Sequence, residues 1–128
     1  MRIRSLYKGY KADFYKSDIT KFLNELDDAI KEEVTSNLED IESVGIMPEQ
    51  IGKQGKLYKP LDCRYGTLYE MKIKTRQKEI IRIYFHPDSK SRLVLLLLAE
   101  FKQGRSNRQS DDITKACNRL GDYIAGAR

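Results

Sequence analysis

Three short apolar runs in the second half of the chain predict the centre of the fold. They read LYEMKIK at 68–74, EIIRIYFH at 79–86 and RLVLLLLAEF at 92–101. Short polar segments separate these runs, which is the pattern of a three-strand β-meander. The first two runs alternate apolar and polar residues, whereas the third is apolar at nearly every position. The third run is therefore predicted to be buried on both faces of the sheet.

Upstream of the meander, apolar residues between positions 19 and 41 recur with the period of an amphipathic helix. This stripe fits either one long helix or a two-helix hairpin, and compactness favours the hairpin. A cap at Asp27 or Asp28 would start the second helix. Gly45 is predicted to end that helix, and Pro48 prevents its continuation.

Three further segments complete the predicted fold. Residues 10–15 are a candidate for an additional N-terminal strand, whereas residues 46–66 contain several glycines and a second proline and are predicted to be loop. Residues 110–112 read SDD, a favourable helix start, and an apolar stripe follows as far as position 124. The prediction is one α+β domain over 1–128, whose small antiparallel sheet is packed on one face by helices and leaves a basic face open.

The charge of the chain is distributed unevenly between the predicted helices and the predicted sheet. The net charge is +5, yet residues 13–49 carry eleven acidic and three basic side chains. Residues 50–110 carry fourteen basic and five acidic side chains. This asymmetry favours a polyanion bound on the sheet side, although solvated surface lysines are the simpler alternative.

Membrane, secretory and metal-site classes receive little support from the sequence. No run of about 18 apolar residues is present, so no membrane-spanning helix is expected. The N-terminus lacks the apolar core of a secretory signal. Cys63 and Cys117 are predicted to be free thiols in a reducing cytoplasm. Together with the single histidine, His86, they are too few for a zinc site, and no metal or other cofactor is expected.

Motifs along the meander and the last helix resemble the RelE/HigB-type toxins of bacterial toxin–antitoxin pairs, and most closely their phage-derived HigB-like branch. The matching stretches are KPLDCRYGTLYEMKI (59–73), IRIYF (81–85), LVLLLLAEF (93–101) and DDITKA (111–116). The LYE and RIYF matches are the more specific ones. The resemblance covers roughly residues 17–124 and implies a RelE-like α+β domain.

The resemblance implies that the protein is an endoribonuclease. Toxins of this type cut mRNA, usually in the ribosomal A site, by attack of a ribose 2′-hydroxyl on the adjacent phosphate. Arginine and lysine stabilise the phosphorane charge and activate the nucleophile, so the reaction needs clustered cationic donors and no metal. The implied partners are mRNA, the ribosome and a cognate antitoxin, often a helix-turn-helix protein, in the cytoplasm.

The resemblance also supplies candidate catalytic residues. Arg82 matches the family arginine of the second strand and is expected to contact the scissile phosphate. Lys72 stands at a family arginine position, so it keeps the charge but loses the bidentate fork. Tyr84 lies on the same strand face as Arg82 and is expected to stack on a base or to assist proton transfer. His86, also on that face, is a candidate acid or base, with a turn histidine as the simpler interpretation.

The segment after the third strand departs from the family pattern. Gln103 and Gly104 stand where the family has two lysines. Glu70 is interpreted as an ion-pair partner of Arg82 rather than as a base. The cations expected to bind RNA are Lys74, Lys102, Arg105 and Arg108. The departure leaves two alternatives open, namely an RNA- or ribosome-binding module without cleavage and a toxin acting on gyrase like the ParE branch.

Overall fold

The three apolar runs form adjacent strands in a computed structural model of the chain, which describes residues 5–52, 57–75, 79–102 and 109–126. In chain order the elements are β1 (Lys11–Phe14), α1 (Ser17–Asn24), α2 (Asp28–Val44), a 3-10 turn (Pro48–Gln50), β2 (Tyr58–Leu61), β3 (Leu68–Lys74), β4 (Ile80–Asp88), β5 (Leu93–Phe101) and α3 (Gln109–Gly126). The predicted meander, helical hairpin, N-terminal strand and last helix are confirmed. In the described part of the chain, no helix is long and apolar enough to cross a bilayer.

The strands form one five-stranded sheet in the order β1-β5-β4-β3-β2. The pairs β2–β3, β3–β4 and β4–β5 are antiparallel, whereas β1 runs parallel to β5. The predicted antiparallel meander is confirmed, and the N-terminal strand joins it in the parallel direction, which the sequence did not indicate. Helices follow β1 and carry the chain to the opposite edge of the sheet, so no hairpin turn sets the direction of β1.

Strand β2 lies inside the segment that was predicted to be loop, which corrects that prediction. It contains only four residues, YKPL, and pairs with β3 at the edge of the sheet. Four residues with a proline are too few to show an alternating pattern. Proline is tolerated there because an edge strand has a free side that needs no N–H donor.

Helices α1 and α2 cover one face of the sheet. The apolar stripe of α2 is buried at Ile30, Val34, Leu38 and Ile41. These side chains belong to the same core cluster as the inward residues of β3 and β4, which are Met71, Ile73, Ile81, Ile83 and Phe85. The acidic residues of α2 are thereby left on its outer surface, as the amphipathic pattern predicts.

Helix α3 packs on the other face of the sheet, against β4 and β5. Its buried residues Ala116 and Leu120 join a second core cluster with Leu68, Tyr84, Leu95, Leu97 and Leu98. The prediction that the helices leave this face open was therefore wrong where α3 covers β4 and β5. Strand β5 lies between two helical layers, which explains why it is apolar at nearly every position and confirms its predicted burial.

Cys63 and Cys117 form a disulfide, with their Cα atoms 5.6 Å apart. The bond joins the loop after β2 to the middle of α3. The prediction of two free thiols was wrong, because a separation of 54 residues in sequence says nothing about proximity in the folded chain. The disulfide fixes α3 to the sheet face that carries the candidate site described below.

The second helix begins and ends as its sequence predicts. The Asp27 side chain accepts a hydrogen bond of 2.9 Å from the backbone N–H of Ala29, which confirms the cap. At the other end, Gly45 has φ 81° and ψ −165°, a conformation that only glycine adopts readily. A β-carbon at Gly45 would lie 2.5 Å from the carbonyl oxygen of Leu6.

Replacing Gly45 with alanine is expected to lower the free energy of unfolding by roughly 2–4 kcal/mol, because backbone strain adds to the clash with Leu6. Gly126→Ala is the matched control, since a β-carbon at Gly126 meets nothing within 4 Å. Urea unfolding followed by circular dichroism measures both variants. Equal midpoints for the two variants would contradict the strained conformation at Gly45.

Candidate functional site

Charged side chains form a row across three strands on the sheet face that carries α3. Lys72 of β3 pairs in register with Arg82 of β4, which in turn pairs with Glu100 of β5. Directly opposed residues of antiparallel strands have their β-carbons about 5 Å apart. We call Lys72, Arg82 and Glu100 the charged row. The register of the sheet thus brings together groups that are far apart in sequence.

Arg82 is buried, with 7% of its surface exposed. Its Nε atom lies 3.9 Å from Oε1 of Glu70, so the predicted ion pair is confirmed at the long end of the range for such contacts. Among the described residues, Nε of Arg82 is a buried donor without a hydrogen-bond partner. Leaving a buried donor unpaired is unfavourable, and the Glu70 carboxylate at 3.9 Å compensates for this cost only in part.

Lys72 is half-buried beside Arg82, and this environment disfavours its charged form. Burial lowers the pKa of Lys72, and the positive charges of Lys102, Arg82 and Lys59 lower it further. The carboxylate of Glu70 acts in the opposite direction. A lysine with a lowered pKa is neutral more often near neutral pH, so its amine can accept a proton.

Glu100 makes side-chain contacts with two elements. Tyr84 Oη of β4 donates a hydrogen bond of 3.3 Å to Glu100 Oε1. Asp112, in the first turn of α3, also shares a side-chain hydrogen bond with Glu100. Two carboxyl groups form such a bond only when one of them is protonated. Burial, followed by the hydrogen bond and charge of Asp112, raises the pKa of Glu100 to about 8.

The stability of the protein is expected to fall as pH rises from about 5 to about 8, because the Glu100 pKa of about 8 lies above its ordinary value of 4.5. In this interval the folded state holds a proton that the unfolded chain has lost. Glu100→Gln removes this loss, so the variant should be more stable than wild type by about 1 kcal/mol above pH 8, a discounted value for a partly exposed group. Urea unfolding across this pH range is the measurement, and parallel profiles for the two proteins would contradict the expectation.

The remaining predicted catalytic residues lie away from solvent or away from the charged row. Tyr84 is fully buried beneath α3, so its ring offers no face to a base, and the interpretation as a stacking residue was wrong. Burial raises the pKa of Tyr84, and the charges of Glu100 and Glu70 raise it further. The Nδ1 atom of His86 lies 2.6 Å from the carbonyl oxygen of Thr67. His86 is four residues after Arg82, which places the two residues roughly 13 Å apart along β4 at about 3.3 Å per residue.

The predicted RNA-binding cations are placed only in part. Lys102 is exposed at the end of β5, and its charge acts on Lys72. Lys74 is exposed at the end of β3. The other two, Arg105 and Arg108, lie outside the described residues, as do Gln103 and Gly104.

The sequence analysis missed three groups that the structure places around the charged row. Lys59 pairs in register with Glu70, Glu100 completes the row, and Asp112 reaches it from α3. One signal was present in the sequence, since Glu100 is the one charged residue in the apolar run 93–101. In the described part of the chain, no group of three or more His, Cys, Asp or Glu residues could hold a metal ion.

Two solved structures are similar to this chain. A mutant of the E. coli toxin RelE in the free state shares 14% sequence identity, covering 87% of this chain and 97% of that one, with a TM-score of 0.57. A crystal structure of the isolated E. coli RelE toxin shares 20% identity, covering 83% and 97%, with a TM-score of 0.47. No protein-family model matches the chain, and no curated protein matches it. Likeness at this identity concerns the fold and does not extend to the HigB-like branch. The chain has the RelE-type α+β fold.

Proposed function

We propose that this protein is the toxin of a toxin–antitoxin pair and that it cleaves mRNA on the ribosome. The observation that carries the proposal is the buried Arg82, whose Nε has no hydrogen-bond partner among the residues that the structure describes, beside the half-buried Lys72. Phosphoryl transfer depends on cationic donors that are held in place before the charge develops. The RelE-type fold supports the same function, because the similar solved structures are of a toxin.

The electrostatics around the charged row favour a phosphate ligand. The cations Lys59, Lys72, Arg82 and Lys102 act together on this part of the sheet face. The carboxyl groups of Glu70, Glu100 and Asp112 reduce this positive charge, but Glu100 and Asp112 share one proton. The local balance is therefore positive, and the acidic residues of α2 lie on the opposite side of the sheet.

The reaction follows from the two basic residues of the charged row. The Arg82 guanidinium binds the oxygens of the scissile phosphate and stabilises the charge of the phosphorane. The neutral amine of Lys72 accepts the proton of the ribose 2′-hydroxyl, whose oxygen attacks the adjacent phosphorus. The bond from phosphorus to the 5′-oxygen then breaks and this oxygen takes up a proton, which leaves a 2′,3′-cyclic phosphate and a 5′-hydroxyl.

The partners belong to the same proposal. They are mRNA in the ribosomal A site and a cognate antitoxin of the helix-turn-helix type, as in the HigB-like branch. The action would take place in the cytoplasm, where ribosomes are found. The cations at the end of the sheet, including Lys74 and Lys102, would hold the RNA backbone through their charge.

Induction of the protein without an antitoxin, followed by mapping of cellular RNA ends, tests the proposed function. We expect growth arrest and new mRNA ends that carry 2′,3′-cyclic phosphates and fall in phase with codons. Intact mRNA and normal growth would contradict the nuclease. DNA damage signalling without RNA cleavage would instead indicate a ParE-like action on gyrase.

A second candidate is a binding module that holds RNA or the ribosome without cutting. The replacement of the family lysine pair by Gln103 and Gly104 favours it. It predicts RNA binding that weakens steeply with salt and leaves the bound RNA intact. The same purified protein decides between the two candidates when binding and cleavage are measured on one labelled RNA.

A further inference from the structure

Glu100 is the one member of the charged row to which the proposed reaction assigns no role. It lies directly opposite Arg82 in the register of β4 and β5, on the side away from Lys72. It is partly exposed, whereas Glu70 on the same face is only 1% exposed. A carboxyl group in an apolar strand, bonded to Tyr84 and to another carboxyl, is unfavourable unless it holds a proton.

The proposed reaction has a step that needs such a proton. The leaving 5′-oxygen departs as an alkoxide, which is a poor leaving group unless it is protonated as the bond breaks. The guanidinium of Arg82 holds its protons too tightly to donate one near neutral pH. Lys72, acting as the base, takes up a proton at the other oxygen.

We propose that Glu100 is the general acid of this site and that its carboxyl proton passes to the leaving 5′-oxygen of the RNA. The inference rests on the proposed ribonuclease function. The 2′-hydroxyl proton moves to Nζ of Lys72, the bond from the 2′-oxygen to phosphorus forms, and the bond from phosphorus to the 5′-oxygen breaks. The 5′-oxygen takes the Glu100 proton, and solvent then returns a proton from Lys72 to Glu100.

The surroundings of Glu100 keep its proton in place near neutral pH. From β4 it faces the cation Arg82 and the hydroxyl of Tyr84, and from α3 it faces Asp112. Burial and Asp112 raise the pKa of Glu100 to about 8, while Tyr84 and Arg82 act in the lowering direction. An acid whose pKa lies near the working pH is well suited to donate a proton. Tyr84 and Asp112 are thus positioning residues for Glu100.

The test compares an ordinary synthetic mRNA with one whose scissile 5′-oxygen is replaced by sulfur. A thiolate leaves without being protonated, so a variant that lacks the general acid should recover on the sulfur substrate. We expect Glu100→Gln to cleave the ordinary RNA about 10²–10⁴-fold more slowly than wild type and the sulfur RNA less than about 10-fold more slowly. Glu39→Gln is the matched control, because Glu39 is exposed on α2 and should leave both rates unchanged.

Both RNAs are presented free and in the ribosomal A site, and the outcomes are distinguishable. Equal losses for Glu100→Gln on the two substrates overturn the role as general acid, and so does an unchanged rate on ordinary RNA. Wild-type protein that cleaves neither substrate overturns the proposed function, and the inference with it. Circular dichroism confirms that each variant is folded before rates are compared.

A second variant gives a readout that a purely structural role would not move. Asp112→Asn removes the neighbouring carboxylate charge, so Glu100 should lose its proton at lower pH. The basic limb of the pH–rate profile on ordinary RNA is then expected to move to lower pH and to be absent on the sulfur substrate. An unmoved limb would contradict the proposed partnership of the two carboxyl groups.

Discussion

Arg82→Ala is expected to slow RNA cleavage by about 10²–10³-fold, the usual effect of removing one donor that stabilises developing charge. Arg82 lies at the centre of the charged row, between Lys72 and Glu100. Its side chain is buried, and its Nε has no hydrogen-bond partner in the described part of the chain, so the cation is already held in place before RNA binds. The loss should fall mainly on the rate of the chemical step, measured by single-turnover cleavage of a labelled mRNA on ribosomes.

The same change is expected to destabilise the fold, which has to be separated from the effect on rate. Arg82 lies 3.9 Å from Glu70, which is almost fully buried. Removing a buried cation beside a buried carboxylate lowers the free energy of unfolding by roughly 3 kcal/mol. Cleavage is therefore measured well below the melting temperature, where circular dichroism shows a folded variant.

Arg82→Lys and Lys90→Ala are the controls for this experiment. The lysine variant keeps the positive charge but lacks the bidentate fork, so it should be more stable than Arg82→Ala and still markedly slower than wild type. Lys90 is exposed in the turn between β4 and β5, and its loss removes one charge far from the charged row. A folded Arg82→Ala protein that cleaves within about threefold of wild type would contradict the proposal that Arg82 stabilises the charge developing on the phosphate.

The strands of this fold were predictable because their signal is local. Alternation at 68–74 and 79–86 identifies which side chains share a face, and the short polar breaks fix antiparallel neighbours. From these two facts alone, Lys72 and Arg82 are expected on one face of adjacent strands, and the register pairs them directly. The helical stripe of α2 was equally local, and all four of its apolar positions named above are buried.

What the sequence left open depends on contacts between distant segments. Tyr84 is buried because α3 packs across β4 and β5. The hydrophobic periodicity of a helix does not show on which part of a sheet the helix packs. The parallel pairing of β1 with β5 and the disulfide have the same origin. Glu100 was overlooked because an acid in an apolar strand is informative only when its partner, Asp112 of α3, is known.

Loss of the Cys63–Cys117 disulfide is expected to lower the free energy of unfolding by up to about 4 kcal/mol, the value that loop-closure entropy gives for a loop of 54 residues. The loop contains β3, β4 and β5, so the bond restricts the part of the unfolded chain that forms three of the five strands. Ser in place of both cysteines removes the bond with little change in volume. Urea unfolding of wild type and of the double variant, with and without a reductant, measures the difference.

The reductant makes this experiment diagnostic. It should lower the unfolding midpoint of wild type to that of the double variant and leave the double variant unchanged. A wild-type midpoint that does not respond, together with two titratable thiols in the native protein, would restore the free thiols that the sequence predicted. Because cytoplasmic thiols are kept reduced, the reduced protein is also the form that the proposed site of action would contain.

Reduction is expected to weaken the fold more than the site. Helix α3 also holds to the sheet through the fully buried Ala116 and Leu120, and these contacts do not depend on the disulfide. Asp112 lies in the first turn of α3, five residues before Cys117, and shares a side-chain hydrogen bond with Glu100 that does not involve the disulfide. Cleavage by the double variant should therefore stay within about threefold of wild type at temperatures where both are folded, because additivity holds for sites that do not share partners. A larger loss would mean that the disulfide, through α3, positions the Glu100–Asp112 pair.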